Sequence, residues 1–298
     1  MYKYKYKQCL SNYELKQYYN KELNTINLNE TINDFETPLI YACRKGNENI
    51  VRLLIKNKAD GNKENYYGNT PLFNASRNGN ENIVRLLIGN GADVNKENKY
   101  GDTTLFNACR KGNENIVRLL IGNGADVNKA NEYGNTPLIC ACIRNKENIV
   151  KLLIENGADV NNENKDSDTP LIWACGNDNE NIVRLLIENG ADVNKEDKYG
   201  NIPLIEACNN NNENIVRLLI ENGADINKEN KDGDTPLIKV CENGNENIVR
   251  LLIENGVDVN KKNEYGNTPL IEANKNGNEN IKKHLIEDGS SIYKKIKL

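Results

Sequence analysis

The sequence predicts an all-α solenoid, built from stacked helix-turn-helix units that are joined by short β-hairpin loops. Three observations support this fold class: a 33-residue period, helix-capping residues that recur within it, and an aliphatic composition. Thr-Pro-Leu first occurs at Thr37 and returns in register, and Thr103-Thr104-Leu105 and Ile202-Pro203-Leu204 fill the two gaps. Residues 37–298 therefore hold eight repeats, and residues 1–36 form an N-terminal tail with a capping half repeat.

Each repeat carries the signals for two short helices. Thr suits the N-cap of the first helix, and Pro suits its first position, where a missing N–H is harmless. Gly79 is expected to end that helix, Asn80 to cap the second, and Gly91 to end the second. Isolated helices of this length are marginal in water, so the apolar letters of ENIVRLLI must be buried against neighbouring repeats.

The two ends of the array are expected to be capped. Residues 11–23 read as a helix with apolar side chains on one side, and INLNETINDFET aligns with the hairpin segment of the full repeats. In the last copy, Val-Arg-Leu becomes Lys282-Lys283-His284, so that polar letters replace the two apolar ones. Because a terminal repeat needs a polar outer face, His284 is interpreted as a capping substitution.

Composition narrows the class of protein. The net charge of −4 and the pI of about 5.4 argue against a general nucleic-acid binder. No apolar run approaches the roughly 20 residues that span a bilayer, and the first residues contain no signal-peptide core. We therefore expect a monomeric cytoplasmic or nuclear protein without membrane insertion. About one residue in five is Asn, but its strict period argues against a disordered Asn-rich tract.

The cysteines and acidic residues indicate no catalytic, cofactor or metal site. Six cysteines recur at multiples of the repeat length, and equivalent residues of stacked helices lie about 8–10 Å apart, too far for a disulfide. They are interpreted as small buried apolar groups. The chain has one histidine, and Asp225–Glu229 lacks the later Gly and Glu of a calcium loop. We expect no enzyme activity. The six cysteines are Cys43, Cys109, Cys142, Cys175, Cys208 and Cys241.

The repeat resembles the ankyrin repeat family, through its TPL, ENIVRLL and GADVN segments and its turn glycine, from about residue 37 to residue 291. One departure is systematic, because the family often has His after Thr-Pro-Leu. An apolar filling with an unchanged fold is expected there. The residues at this position are Ile40, Phe73, Phe106, Ile139, Ile172, Ile205, Ile238 and Ile271.

Two positions of the first helix vary between copies while their neighbours stay constant. They are the third and sixth letters of the frame LIWACG and its equivalents, and they lie three residues apart on one helical face. The third letters are Tyr41, Asn74, Asn107, Cys140, Trp173, Glu206, Lys239 and Glu272. The sixth letters are Arg44, Arg77, Arg110, Ile143, Gly176, Asn209, Glu242 and Lys275. The resemblance implies that this face and the hairpin tips line a concave groove that binds a partner protein.

Read along the chain, these letters are basic in the first repeats, apolar in the middle, and richer in acid at the end through Glu206, Glu242 and Glu272. They suggest a partner segment of acidic, then apolar, then neutral or basic character. Exposed Trp and Tyr are typical binding hot spots. Surface drift, a solvated basic strip, or tyrosines packed across their hairpins would explain the same letters. The candidate contacts are Tyr41, Arg44, Arg77, Arg110, Tyr133, Cys140, Ile143, Trp173, Tyr199 and Glu206.

The predicted function is a non-enzymatic protein-binding scaffold or adaptor. The alternatives are a substrate receptor of a ubiquitin-ligase or signalling complex, and a structural tether to the membrane skeleton. The family resemblance also implies that loop residues such as Asn95 and Asn128 are potential substrates of asparagine hydroxylation.

Overall fold

A computed structural model of the chain describes residues 28–30 and 36–296, with side chains up to Glu287. These residues fold into helices joined by turns, and apart from one bridging residue, Glu36, they contain no β-strand. They divide into two compact units. Of the described residues, unit 1 holds 28–30, 36–141 and 151–158, and unit 2 holds 142–150 and 159–296. The predicted helix at residues 11–23 lies outside the described residues.

Each repeat supplies a first and a second helix, as the period predicts. The first helices are α1 (Pro38–Lys45), α3 (Pro71–Arg77), α5 (Thr104–Lys111), α7 (Pro137–Ile143), α9 (Pro170–Gly176), α11 (Pro203–Asn209), α13 (Pro236–Asn243) and α15 (Pro269–Lys275). The second helices are α2 (Glu48–Lys56), α4 (Glu81–Ile88), α6 (Glu114–Ile121), α8 (Glu147–Glu155), α10 (Glu180–Glu188), α12 (Glu213–Glu221), α14 (Glu246–Glu254) and α16 (Glu279–Ile296).

The helix ends follow the capping signals. Thr70 Oγ1 accepts a hydrogen bond from the Phe73 N–H at 3.2 Å, and the other Thr caps of the described first helices do the same. Ile202 replaces Thr before α11 and leaves that end without a side-chain cap. Gly79 and Gly91 follow their helices with positive φ angles of 74° and 84°. The capping residues and glycines at the helix ends therefore set the length of each helix.

In unit 1 the helices α1, α3 and α5 pack side by side, and in unit 2 the same holds for α9, α11, α13 and α15. The core is aliphatic, and the constant Leu, Ala and Cys letters of the first helices are buried in the described repeats up to α13. The residue after Thr-Pro-Leu is buried from Ile40 to Ile238, which confirms the apolar filling. Each repeat thus buries apolar area against its neighbours within a unit.

Asparagine explains how the polar loops of successive repeats are joined. Asn95 Oδ1 accepts from the Asp126 N–H at 2.8 Å, and its Nδ2 donates to the Gly124 carbonyl at 2.9 Å. Asn62, Asn161 and Asn194 make the same two bonds to the repeat that follows each of them. The high Asn content therefore supplies hydrogen bonds between repeats, since each side chain satisfies one donor and one acceptor.

The last repeat is only partly polar on its outer face. His284 Nε2 lies 3.1 Å from Glu246 Oε1 of the preceding repeat, and this contact lowers the pKa of the Glu246 carboxyl. Three apolar side chains of this repeat are nevertheless exposed: Leu270, Ile271 and Ile286. Ile271, at 40% exposure, is the exception to the buried series that begins at Ile40.

Candidate partner-binding surface

The third letters of the first helices are less exposed than their variability suggested. Cys140 is 4% exposed and Asn107 is 0% exposed, and Asn74 and Glu272 are also buried. Tyr41, Trp173, Glu206 and Lys239 are half-buried. The prediction that Cys140 contributes surface to a partner is therefore corrected, because its thiol belongs to the core. Variation at a position shows that several side chains fit there, and burial can still be complete.

The sixth letters are more exposed, and in unit 1 they are the predicted arginines. Arg77 is exposed, and Arg110 is half-buried with its Nη2 donating to Asn107 Oδ1 at 2.9 Å. Arg44 Nε donates to Glu36 Oε1 at 3.0 Å, and its guanidinium lies 5.1 Å from the centre of the Tyr41 ring. Arg44, Arg77 and Arg110 together are called the arginine row.

In unit 2 the charged letters of the last two repeats neutralise one another. Lys239 Nζ lies 2.5 Å from Asp234 Oδ2 and 3.3 Å from Glu242 Oε2. Glu272 Oε1 lies 2.8 Å from Lys275 Nζ. The end of the array is thus mixed in charge, and the carboxylates of Glu242 and Glu272 are each paired with a lysine three residues away on the same helix.

Glu206 keeps a carboxylate without an ion pair among the described residues of unit 2. Burial raises the pKa of this carboxyl, and the charges of Asp197 and Asp168 raise it further, whereas a hydrogen bond from Asn209 lowers it. Burial also raises the pKa of the Asp168 carboxyl, and the charges of Asp197 and Asp166 raise it further, whereas a hydrogen bond from Asn164 lowers it. The acidic character of unit 2 is thus centred on repeats 4 to 6.

Trp173 lies in α9, shortly after Asp166 and Asp168 in the sequence, and its ring is half-buried. Its indole Nε1 is buried and has no hydrogen-bond partner among the described atoms. At Gly176, three residues on, an added Cβ would meet nothing within 4 Å. There is therefore open space at Gly176 on the same helix as the tryptophan. Ile143 of the preceding repeat is half-buried.

The hairpin tips carry exposed aromatic side chains. Tyr133 is 62% and Tyr199 59% exposed, so neither packs across its own hairpin. The tip backbone joins successive repeats: the Tyr100 carbonyl accepts from the Glu132 N–H at 3.0 Å, and the Tyr199 carbonyl from the Lys231 N–H at 2.9 Å. The exposed tyrosines among the described residues are Tyr66, Tyr67, Tyr100, Tyr133, Tyr199 and Tyr265.

Sequence reasoning missed two features of this surface. Tyr66 is exposed beside Tyr67 with the Lys99 Nζ 4.3 Å from its ring centre, and the doubled Tyr of this one tip was the available signal. Asp234 is the buried partner of Lys239, and the signal for it was an Asp and a Lys five residues apart across a helix start.

The cysteines of the described residues are buried thiols that form no disulfide with one another. Burial raises the pKa of Cys43 to about 12, and burial with the nearby charges of Glu272 and Glu242 raises that of Cys241 to about 12. No group of three or more His, Cys, Asp or Glu residues in the described part could hold a metal ion. Within the same residues, no helix has both the length and the apolar character to cross a membrane.

Comparison with protein families identifies the class. A sequence model described as ankyrin repeats (3 copies) matches residues 9–98, 90–164, 159–230 and 226–296. The matches cover nearly the whole sequence, so the chain belongs to the ankyrin repeat family. Members of this family are generally protein–protein interaction modules and are typically not catalysts. A search of curated proteins found no match to the chain.

Proposed function

We propose that the protein is a non-catalytic scaffold or adaptor that binds a partner protein through its first-helix face and hairpin tips. The observation that carries this proposal is the placement of the exposed aromatics. In the described residues, the six exposed tyrosines all lie at hairpin tips. Large rigid side chains of this kind are enriched where protein interfaces gain most of their binding energy.

Trp173 is proposed as the main contact within unit 2. Its half-buried ring presents one apolar surface, and the open space at Gly176 leaves room for a partner side chain. A fully covered ring would bury further apolar area, at about 25 cal/mol per Å². Neither the ligase-receptor nor the membrane-skeleton alternative has a supporting observation in the described residues.

The test is affinity capture from the cells that produce the protein, followed by titration of the purified partner. Trp173→Ala should weaken binding by about 2 kcal/mol, or roughly thirtyfold. Trp173→Phe is the matched control, because it keeps an aromatic ring while it removes the pyrrole part of the indole with its buried N–H. Its affinity should remain within about threefold of the parent. Equal binding by the Ala variant, with an unchanged helical circular dichroism spectrum, would exclude Trp173 as a main contact.

A further inference from the structure

Arginine has two different environments in unit 1. On the second helices, Arg85 Nη2 lies 2.6 Å from Glu81 Oε1, and Arg118 Nη2 lies 2.8 Å from Glu114 Oε1. On the first helices of the same two repeats, Arg77 and Arg110 form no ion pair with any described residue. In these two repeats, each arginine of the second helix therefore has a carboxylate partner, and the arginine of the first helix has none.

The guanidinium of Arg110 is held in position by a neighbouring side chain. Asn107 is fully buried, and its Oδ1 accepts one N–H of Arg110, which holds that guanidinium at the surface of α5. Only one of the five N–H donors of Arg110 is used in this bond. Lys111 follows it and is exposed, so the positive charge extends along the helix end. An outside acceptor could engage the remaining donors without breaking an existing ion pair.

The spacing of the arginine row fits one kind of partner backbone. The helices α1, α3 and α5 pack side by side, and packed helices lie about 8–10 Å apart. A peptide in the extended polyproline II conformation advances about 3.1 Å per residue with three residues per turn, so side chains three residues apart lie on the same side, about 9 Å from each other. A peptide that runs across these helices therefore meets one arginine at every third residue. The net charge of −4 for the whole chain argues against the uniformly negative backbone of a nucleic acid as the partner.

We propose that the arginine row of unit 1 binds an extended acidic segment of a partner protein, with Asp or Glu at every third residue. Each carboxylate would accept paired hydrogen bonds from one guanidinium, the strongest geometry for this pair of groups. Arg77 and Arg110 form the centre of the site. Arg44 contributes less, because Glu36 already occupies its Nε. This inference rests on the proposed function and names the chemistry of the partner.

The experiment uses the full chain and a labelled synthetic peptide of about 12 residues with Glu at every third position and small uncharged residues between. Binding is followed by fluorescence anisotropy. Arg77→Gln/Arg110→Gln should weaken binding about tenfold or more, which corresponds to about 1.4 kcal/mol. The matched control is Arg85→Gln/Arg118→Gln, which removes the same charge from the same repeats on the other face and should leave binding unchanged.

Two further measurements, a charge-reversal variant and a salt titration, test whether the binding depends on charge. Arg77→Glu/Arg110→Glu should lose the Glu peptide and bind the corresponding Lys peptide, which a merely misfolded variant would not do. Affinity for the parent should fall as salt rises from about 0.05 to about 0.5 M, because the Debye length shortens. Equal binding of both double Gln variants, equal binding of a peptide whose glutamates are consecutive, or tighter binding of a dT oligonucleotide of equal charge would each overturn the proposal. Partner capture that depends on Trp173 would stand in all three cases.

Discussion

The first helices of the two units differ in whether their charged side chains form ion pairs. In unit 1, Arg77 and Arg110 have uncharged Asn residues three positions before them, and no described carboxylate pairs with either. In unit 2, Lys239 faces Glu242, and Glu272 faces Lys275, in the same two positions. The third and sixth letters must therefore be read as a pair, because a charge that its neighbour neutralises offers little to a partner.

The prediction with the largest expected effect is that the paired Lys239 of unit 2 stabilises the fold and that the unpaired Arg77 of unit 1 does not. Lys239→Met removes the cation from Asp234, whose side chain is only 6% exposed. Because the lysine itself is partly exposed, we expect the free energy of unfolding to fall by about 2 kcal/mol, which is less than the loss for a fully buried ion pair. Denaturant unfolding followed by circular dichroism measures it.

The matched variant is Arg77→Met, which removes one positive charge from unit 1 with the same replacement residue. Its free energy of unfolding should change by no more than about 0.5 kcal/mol, since the arginine has no partner to lose. Similar losses in the two variants would remove the distinction between a paired and an unpaired surface.

The second effect concerns the backbone at the hairpin tips. Ser167 in unit 2 has φ 61°, where the equivalent Gly101 of unit 1 has φ 72°. The left-handed conformation costs an L-residue about 1–2 kcal/mol, and a Cβ at Gly101 would lie 2.8 Å from the Glu132 nitrogen. Ser167→Gly should therefore stabilise the protein by about 1 kcal/mol, after the greater entropy of unfolded glycine is counted.

The same unfolding measurement on Ser167→Ala separates backbone strain from loss of the hydroxyl. Alanine keeps the Cβ and should give no gain. A gain of equal size in both variants would place the effect in the hydroxyl, and the backbone comparison between the two tips would then be wrong.

Most of the fold could be predicted because its determinants are local. Thr, Pro and Gly recur at fixed places, and each acts within a few residues of itself, as when Thr70 caps α3 through the Phe73 N–H. The exposed tip tyrosines follow from the same register, since they precede the turn glycine. A period therefore transfers reliably from sequence to structure wherever the interaction stays within one repeat.

The candidate surface was harder to predict, because exposure depends on neighbours that the frame does not specify. Cys140 and Asn107 occupy the same letter as Trp173, yet they are buried and the tryptophan is half-buried. The pairing of Lys239 with Asp234 depends on a side chain that folds back over the helix start. A contact of this kind can be identified only from the structure. The pair of Lys239 with Glu242 could have been predicted, because the two opposite charges lie three residues apart on one helix.

The smallest expected effect tests the acidic repeats of unit 2 by pH. The folded pKa of Glu206 is raised above its ordinary 4.5 by burial and by the charges of Asp197 and Asp168, with Lys239 acting in the opposite sense. The folded state therefore holds this proton more tightly than the unfolded state, and ionisation of Glu206 lowers stability as pH rises. Glu206→Gln should stabilise the protein at pH 7 by less than about 1 kcal/mol.

That gain should shrink as pH falls through the folded pKa and should be absent below about 4.5, where the wild-type carboxyl is protonated in both states. Glu242→Gln is the contrasting variant, because its carboxylate already pairs with Lys239 and its neutralisation at pH 7 should be slightly destabilising. The unfolding free energies of both variants and of the parent are measured at pH 4 and pH 7. At pH 7, the change relative to the parent has opposite signs in the two variants only if Glu206 is a carboxylate without an ion pair. A pH-independent gain in Glu206→Gln would show instead that the amide packs better, and the acidic character assigned to this part of unit 2 would have no energetic support.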